Sequence, residues 1–187
     1  MSNLLLLPLQ DLPGKDRNIQ NTKKMFIGVI SDTHGVFSEE FKKFLEPVDV
    51  LWHAGDFGGG PDFIKEIEAF KPLKGVAGNC DSRDLLFDYP LYQNFECEGM
   101  NVLMTHIGGY PGRYDHRALE LIRKFHPDIF ICGHSHILKV MRDPQFGHMV
   151  INPGAAGLQG FHIVRTALRF HIDEGKMHDM EVFNLNR

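Results

Sequence analysis

Phe26-Ile27-Gly28-Val29-Ile30-Ser31-Asp32-Thr33-His34 decides the fold class: a short apolar run with β-branched residues, stopped abruptly by polar side chains able to bind a metal. Such a run reads as a buried strand. Downstream, Ser38-Glu39-Glu40-Phe41 looks like a capped helix start that Pro47 ends, and Val48 to Trp52 is a second apolar run. Pro61 sits where a first helical turn tolerates proline, and Phe63, Ile64, Ile67 and Phe70 recur at helical spacing up to Pro72. A third strand, Leu73 to Ala77, follows. Two extended segments between Leu91 and Thr105 flank Glu98-Gly99 as in a hairpin. Ala118, Leu121, Ile122 and Phe125 mark another helix, closed by Pro127 before the strand Ile129 to Cys132. The rest is strand-rich: Ile137 to Met141, Met149 to Ile151, Ala167 to Ile172 and Met180 to Leu185. Strands alternating with helices, then mostly strands, predict an α/β domain of two packed mixed sheets with helices on their outer faces.

Upstream, residues 1–24 combine Leu4 to Leu7, two prolines, Gly14 and a polar stretch ending in Lys23-Lys24, with no sustained helix or strand period. They read as a peripheral or poorly ordered extension, with the folded domain over 25–187. The length of 187 residues favours one domain, and 43% hydrophobic with 24% charged residues argues against disorder over most of it. A net charge of -4 with no long basic run argues against duplex nucleic acid or an anionic membrane as partner. Cys80, Cys97 and Cys132 are too scattered for a disulfide framework, which suits a reducing compartment. No segment approaches the length of a membrane span, so a soluble, unsecreted, cytoplasmic protein is expected.

Each apolar strand is followed by residues of metal-ligand type: Asp32-Thr33-His34, Gly55-Asp56, Gly78-Asn79-Cys80-Asp81, Thr105-His106 and Gly133-His134-Ser135-His136. In open α/β sheets the loops at the carboxyl ends of strands are where ligands collect. Asp32 and His34, like His134 and His136, are two apart, so in extended backbone each pair points the same way. Carboxylate, imidazole and amide ligands without thiolate favour Mn, Fe, Zn or Ni. Seven groups are too many for one tetrahedral ion and enough for two if Asp56 bridges them. Two ions about 3.5–4 Å apart can hold a shared hydroxide for in-line attack on a phosphoester.

These ordered blocks resemble the calcineurin-like metallophosphoesterase family, closest to its small single-domain bacterial and archaeal phosphodiesterases, from Met25 onward. The resemblance implies an αββα sandwich and a binuclear centre, with Asp32, His34, Asp56 and His136 on one ion and Asp56, Asn79, His106 and His134 on the other. Manganese is the expected ion, with iron, nickel or zinc as alternatives. Asn79, Asp81 and His106 are the candidate catalytic residues. Many relatives carry histidine where this chain has Cys80, which implies a substrate with a better leaving group, or another proton donor. Asn152-Pro153-Gly154-Ala155 departs from small relatives that have serine at Ala155.

The expected function is hydrolysis of small or nucleotide-like phosphodiesters. A phosphomonoesterase, or an inactive binding scaffold of the same fold, is the alternative. The strand edges permit a homo-oligomer. A cysteine-phosphatase mechanism lacks its arginine six positions on, where Leu86, Leu103 and Leu138 stand, and no Gly-Lys-Ser/Thr follows Gly58-Gly59-Gly60. His53 reads as a buried structural histidine or a partner behind the ligands. Asp81 reads either as such a partner to Asn79 or a histidine, or as a turn cap. His116, His126, His148, His162, His171 and His178 read as ordinary surface or core residues. Tyr110, Arg113, Tyr114 and Arg117 read as a solvated loop, with contact to a base and a phosphate as the sharper alternative.

Overall fold

A computed structural model describes residues 3–6 and 24–187. Its larger sheet has six strands, in the order β1 (Asn3–Leu6), β13 (Lys176–Asn186), β12 (Val164–Asp173), β2 (Met25–Ile30), β3 (Val50–His53) and β4 (Leu73–Gly75). The second sheet has five: β10 (Leu138–Arg142), β11 (Met149–Pro153), β9 (Ile129–Ile131), β6 (Met100–Thr105) and β5 (Tyr92–Cys97). A two-stranded ribbon, β7 (Gly109–Tyr110) and β8 (Arg113–Tyr114), stands beside them. The helices are α1 (Glu39–Leu45), α2 (Gly60–Phe70) and α3 (His116–Phe125), with a 3-10 turn over Arg83–Phe87.

Strand alternation sorts the side chains into layers. Ile27, Val29 and Trp52 face the space between the sheets, where they meet Met104, Ile131 and Phe170. Ile30 and Leu51 face the other way, onto Phe41, Leu45, Phe63 and Ile67 of α1 and α2. Leu103 and Phe130 pack outward against Ala118 and Ile122 of α3. The result is the αββα arrangement expected. Trp52 joins the layers, with its ring edge-on to Phe95 of one sheet at 5.3 Å and to Phe170 of the other at 6.0 Å.

β2, β3 and β4 run parallel, as do β6, β9 and β11. The carboxyl ends of β2, β3, β4, β6 and β9 carry the polar blocks to one crevice. The Glu98-Gly99 hairpin forms as read, pairing Cys97 with Met100. One expectation needs correcting: Asn3–Leu6 is a strand, antiparallel to Glu181–Asn184 of β13. Leu4 and Leu5 remain half exposed. Four residues on a sheet edge need no alternation, because the partner strand supplies the hydrogen bonds, and that partner lies at the other end of the chain. The remainder of the proposed extension, residues 7–23, lies outside the described residues.

Candidate metal centre

Asp32 and His34 follow β2, Asp56 follows β3, Asn79 lies beyond β4, His106 caps β6, and His134 and His136 follow β9. The convergence does not come from extended backbone. Asp32, His34, Asp56, His134 and His136 all have positive φ, between 46° and 67°. The chain therefore turns left-handed at each, which aims the side chain back across the strand ends. Non-glycine residues held there are strained and concentrate at functional sites.

Among the described residues of the crevice, three groups of ligand atoms come within reach of one another: Asp32 with His34 and His136, Asp32 with Asp56 and His106, and His34 with Asp56 and Cys80. His136 Nε2 is 3.2 Å from Asp32 Oδ1, and His106 Nε2 is 3.3 Å from Asp56 Oδ2. His34 Nε2 is 3.9 Å from Asp56 Oδ2. The His106 Nδ1–H donates to the Ala54 carbonyl at 2.7 Å, which leaves its Nε2 lone pair facing the carboxylates. Asp32 Oδ1, His34 Nε2 and His106 Nε2 are all buried with no hydrogen-bond partner. Orphaned buried acceptors aimed at each other are costly, and a cation between them removes that cost. This donor set therefore fits divalent metal. The charge balance agrees. Burial opposes a positive His106, yet the Asp56 and Asp32 carboxylates outweigh it and raise its pKa. Burial also disfavours the Asp56 anion, yet His106 and the Cys80 N–H hold its carboxyl far below the usual range.

The other two ligands called from sequence lie at the rim. The His134 ring is edge-on to His106 at 5.3 Å, and its backbone N–H donates to Asp32 Oδ2 at 3.1 Å. Asn79 is exposed, its amide donating to Cys80 Sγ at 3.3 Å. Burial and the Asp56 and Asp81 carboxylates push the Cys80 thiol up to about 11, so it is no thiolate nucleophile at neutral pH. Asp81 touches neither the Asn79 side chain nor a histidine among its hydrogen bonds. Its two oxygens accept from the N–H groups of Gly58 at 3.1 Å and Gly78 at 2.8 Å, which fixes two loops around Asp56.

Sequence reasoning passed over two positioning residues. His162 faces His136, Nδ1 to Nδ1, at 3.2 Å, and its Nε2–H donates to Gly157 O at 3.2 Å. The Asn152 amide donates to Gly133 O at 2.7 Å and to Ser135 Oγ at 3.1 Å, holding the loop that bears His134 and His136. The Asn-Pro-Gly turn signal was visible for Asn152, whereas nothing local marks His162.

His53 is fully buried, stacked on Phe57 at 3.7 Å. Its Nδ1 accepts from the Gly55 N–H and its Nε2 meets Thr33 Oγ1 at 2.9 Å, an arrangement for the neutral ring. Burial pushes it down to about 3 from 6.5. Above pH 6.5 the ring is neutral in both folded and unfolded chains and costs nothing. Below it the unfolded chain takes a proton that the fold refuses until about pH 3, so stability falls through that window by up to ~5 kcal/mol. Urea midpoints measured from pH 7 to pH 4 in chelator are expected to fall less for His53→Gln than for the parent. Parallel curves would refute this account.

A cleft of about 540 Å³ runs from Gly58 and Gly59 past Cys80 and Asp81, and two more border the centre. One, of about 490 Å³, is walled by Leu91, Tyr92, Ile107 and Arg117 and reaches Asn79 and His106. The other, of about 330 Å³, runs past Tyr110, Arg113 and Lys139 to His134. Ile107 and Asp115 form the ridge they share. Tyr114 lines the smaller cleft with its hydroxyl bonded to Asp143 and 3.0 Å from His148 Nε2. Arg113, Tyr110 and Arg117 remain on the cleft walls.

A profile of the calcineurin-like phosphoesterase superfamily domain matches residues 25–175. A protein of Methanothermobacter thermautotrophicus named "Probable metallophosphoesterase" is 31% identical over 138 residues, spanning 70% of this chain and 77% of its own. Among solved structures, Vps29 of Chaetomium thermophilum superposes with a TM-score of 0.71 at 17% identity, over 87% of this chain and 89% of its own. A structure described as a novel archaeal phosphodiesterase does so with a TM-score of 0.62 at 22% identity, over 87% and 100%. At those identities the structural likeness shows the fold. Among the described residues no helix is long and apolar enough to cross a membrane.

Proposed function

This chain belongs to the calcineurin-like phosphoesterase superfamily, and on that premise we propose that it hydrolyses phosphodiesters of small or nucleotide-like character, using two divalent metal ions. Residues 25–187 are the catalytic domain, to whose larger sheet Asn3–Leu6 adds an edge strand. Asp32, His34, Asp56 and His136 hold one ion, and Asp56, Asn79, His106 and His134 the other, manganese being the expected metal. Bound there, the ions supply Lewis-acid polarisation of the phosphoryl group and ionise water at neutral pH. Three free cysteines suit a reducing, cytoplasmic setting.

The two clefts that meet at Ile107 and Asp115 are the observation that carries the choice of diester. A diester has two organic arms on one phosphorus, and each cleft gives one arm a wall of its own. Leu91, Tyr92 and Ile107 offer apolar and aromatic surface in the larger. Arg113 and Lys139 offer positive charge in the smaller. A monoester would leave one cleft empty and forgo its binding energy in the transition state.

Comparing bis-p-nitrophenyl phosphate with the mono-ester, in manganese and in chelator, tests the proposal. The diester is expected to turn over with at least about tenfold higher kcat/KM, equivalent to ~1.4 kcal/mol, and chelator to abolish it. Preference for the mono-ester would overturn the substrate class. No metal-dependent turnover of either would overturn the enzyme reading.

His162 is a positioning residue in this scheme. Its Nε2–H is committed to Gly157, so its Nδ1 accepts from the His136 Nδ1–H. That fixes the His136 tautomer and turns the free Nε2 toward Asp32. Partners of this kind behind a ligating histidine are worth about 10–100-fold in metal affinity or activity. His162→Ala is expected to raise the manganese concentration for half-activation by about tenfold while kcat at saturating metal recovers. A fall in kcat at unchanged metal dependence would contradict the assignment.

A further inference from the structure

The β12–β13 hairpin carries a second set of metal-ligating side chains, at the opposite end of the larger sheet. His171 pairs with Phe26 of β2, six residues before Asp32, so it lies on the order of 20 Å from the crevice at the rise of a strand. His171 and His178 are directly opposed across the hairpin, their rings stacked 5.4 Å apart at 15°. Asp179 Oδ2 is 2.8 Å from His178 Nδ1 and 3.9 Å from His171 Nδ1. One ligand atom from each of the three falls within 4.8 Å of the others.

The backbone is shaped to make this group. Arg169 pairs with Glu181 but His171 with His178, so β13 carries one more residue than β12 across that interval. In a regular strand Asp179 would point to the face opposite His178. The bulge, with Asp179 at φ 52°, returns its carboxylate to the histidine face. His171 Nδ1 is buried without a hydrogen-bond partner, and its ring is clamped flat against Phe26 at 4.1 Å and 11°. A fixed ring with an unpaired nitrogen aimed at an imidazole and a carboxylate is a ligand arrangement with one position still to fill.

We infer that His171, His178 and Asp179 form a second metal site, separate from the crevice and selective for a divalent transition ion of the zinc class. Two imidazoles and one carboxylate, with water as fourth ligand, suit zinc, whereas calcium and magnesium prefer all-oxygen shells. An ion there cross-links β12 to β13 and, through the clamped His171 ring, ties the hairpin to β2. It stabilises the sheet by mass action without entering the reaction.

The test is equilibrium dialysis against zinc in excess magnesium, followed by elemental analysis, of the parent chain and of His171→Asn/His178→Gln. The double variant is expected to hold one equivalent less zinc while keeping the parent's diester turnover in manganese. The same loss of one equivalent is expected when the two substitutions are added to Asp56→Ala. In that crevice-disabled background, zinc is expected to shift the imidazole nitrogen resonances of both histidines. Equal zinc content with and without the substitutions, or unmoved His171 and His178 resonances, would overturn the site.

Discussion

Replacing Asp56 by alanine is expected to abolish diester hydrolysis and release bound manganese from a domain that still folds. Asp56 is 2% exposed. Its Oδ2 lies 3.9 Å from His34 Nε2 and 3.3 Å from His106 Nε2, and its Oδ1 accepts from the Cys80 N–H at 2.8 Å. Removing the group proposed to be shared between two ions leaves each with an incomplete set. A loss of at least ~10⁴-fold in kcat/KM, over ~5 kcal/mol of transition-state stabilisation, is expected. Circular dichroism should stay that of the parent, because the sheets and helices bury their cores without this side chain. Asp56→Asn keeps the side-chain shape and an oxygen for the Cys80 N–H, and should fall between the two. More than about a hundredth of parental activity in Asp56→Ala, under 3 kcal/mol of loss, would end the bridging role.

The second large effect is expected at a residue with no side chain. A methyl group on Gly78 would run into the Asp56 carboxylate oxygen and backbone nitrogen, and would lie 2.7 Å from Asp56 Cγ. Neither side can yield easily. Asp56 is buried, and the Gly78 loop is pinned by Asp81 and by the Cys80 N–H. Gly78→Ala should therefore displace the carboxylate by a few tenths of an ångström to about 1 Å and cost on the order of 10²-fold in kcat/KM. Manganese affinity should weaken in parallel, with the thermal transition shifted far less than activity. Activity within about threefold of the parent, ~0.65 kcal/mol, would mean that the loop can give way without moving Asp56.

The parts of this architecture that depend on local pattern were legible in the sequence. Apolar strands, each followed at once by a ligand-type residue, placed Asp32, Asp56, His106 and His134 at strand ends, and Pro47, Pro72 and Pro127 closed the helices in the right places. What escaped was long-range. Whether Asn3–Leu6 forms a strand depends on β13, at the other end of the chain. Asp81 offers the same carboxylate to a ligand or to a backbone N–H, and only the approach of Gly58 decides which. His162 and His171 have no local mark that separates them from a surface histidine such as His116. Their roles come from what the fold sets against them: His136 for one, Phe26 and Asp179 for the other. The spacing of Asp32 and His34 predicted their approach from extended backbone, whereas the backbone that brings their ligand atoms together is left-handed.

Five of the seven proposed ligands hold a backbone shape that costs a residue bearing a side chain about 1–2 kcal/mol. Glycine at any of them would relieve that cost and destroy the chemistry. A laboratory selection for heat resistance alone should therefore erode this end of the protein first, yielding sturdier molecules that no longer turn over substrate. The fold is at its least comfortable where it is most useful, and only demand for activity keeps it so.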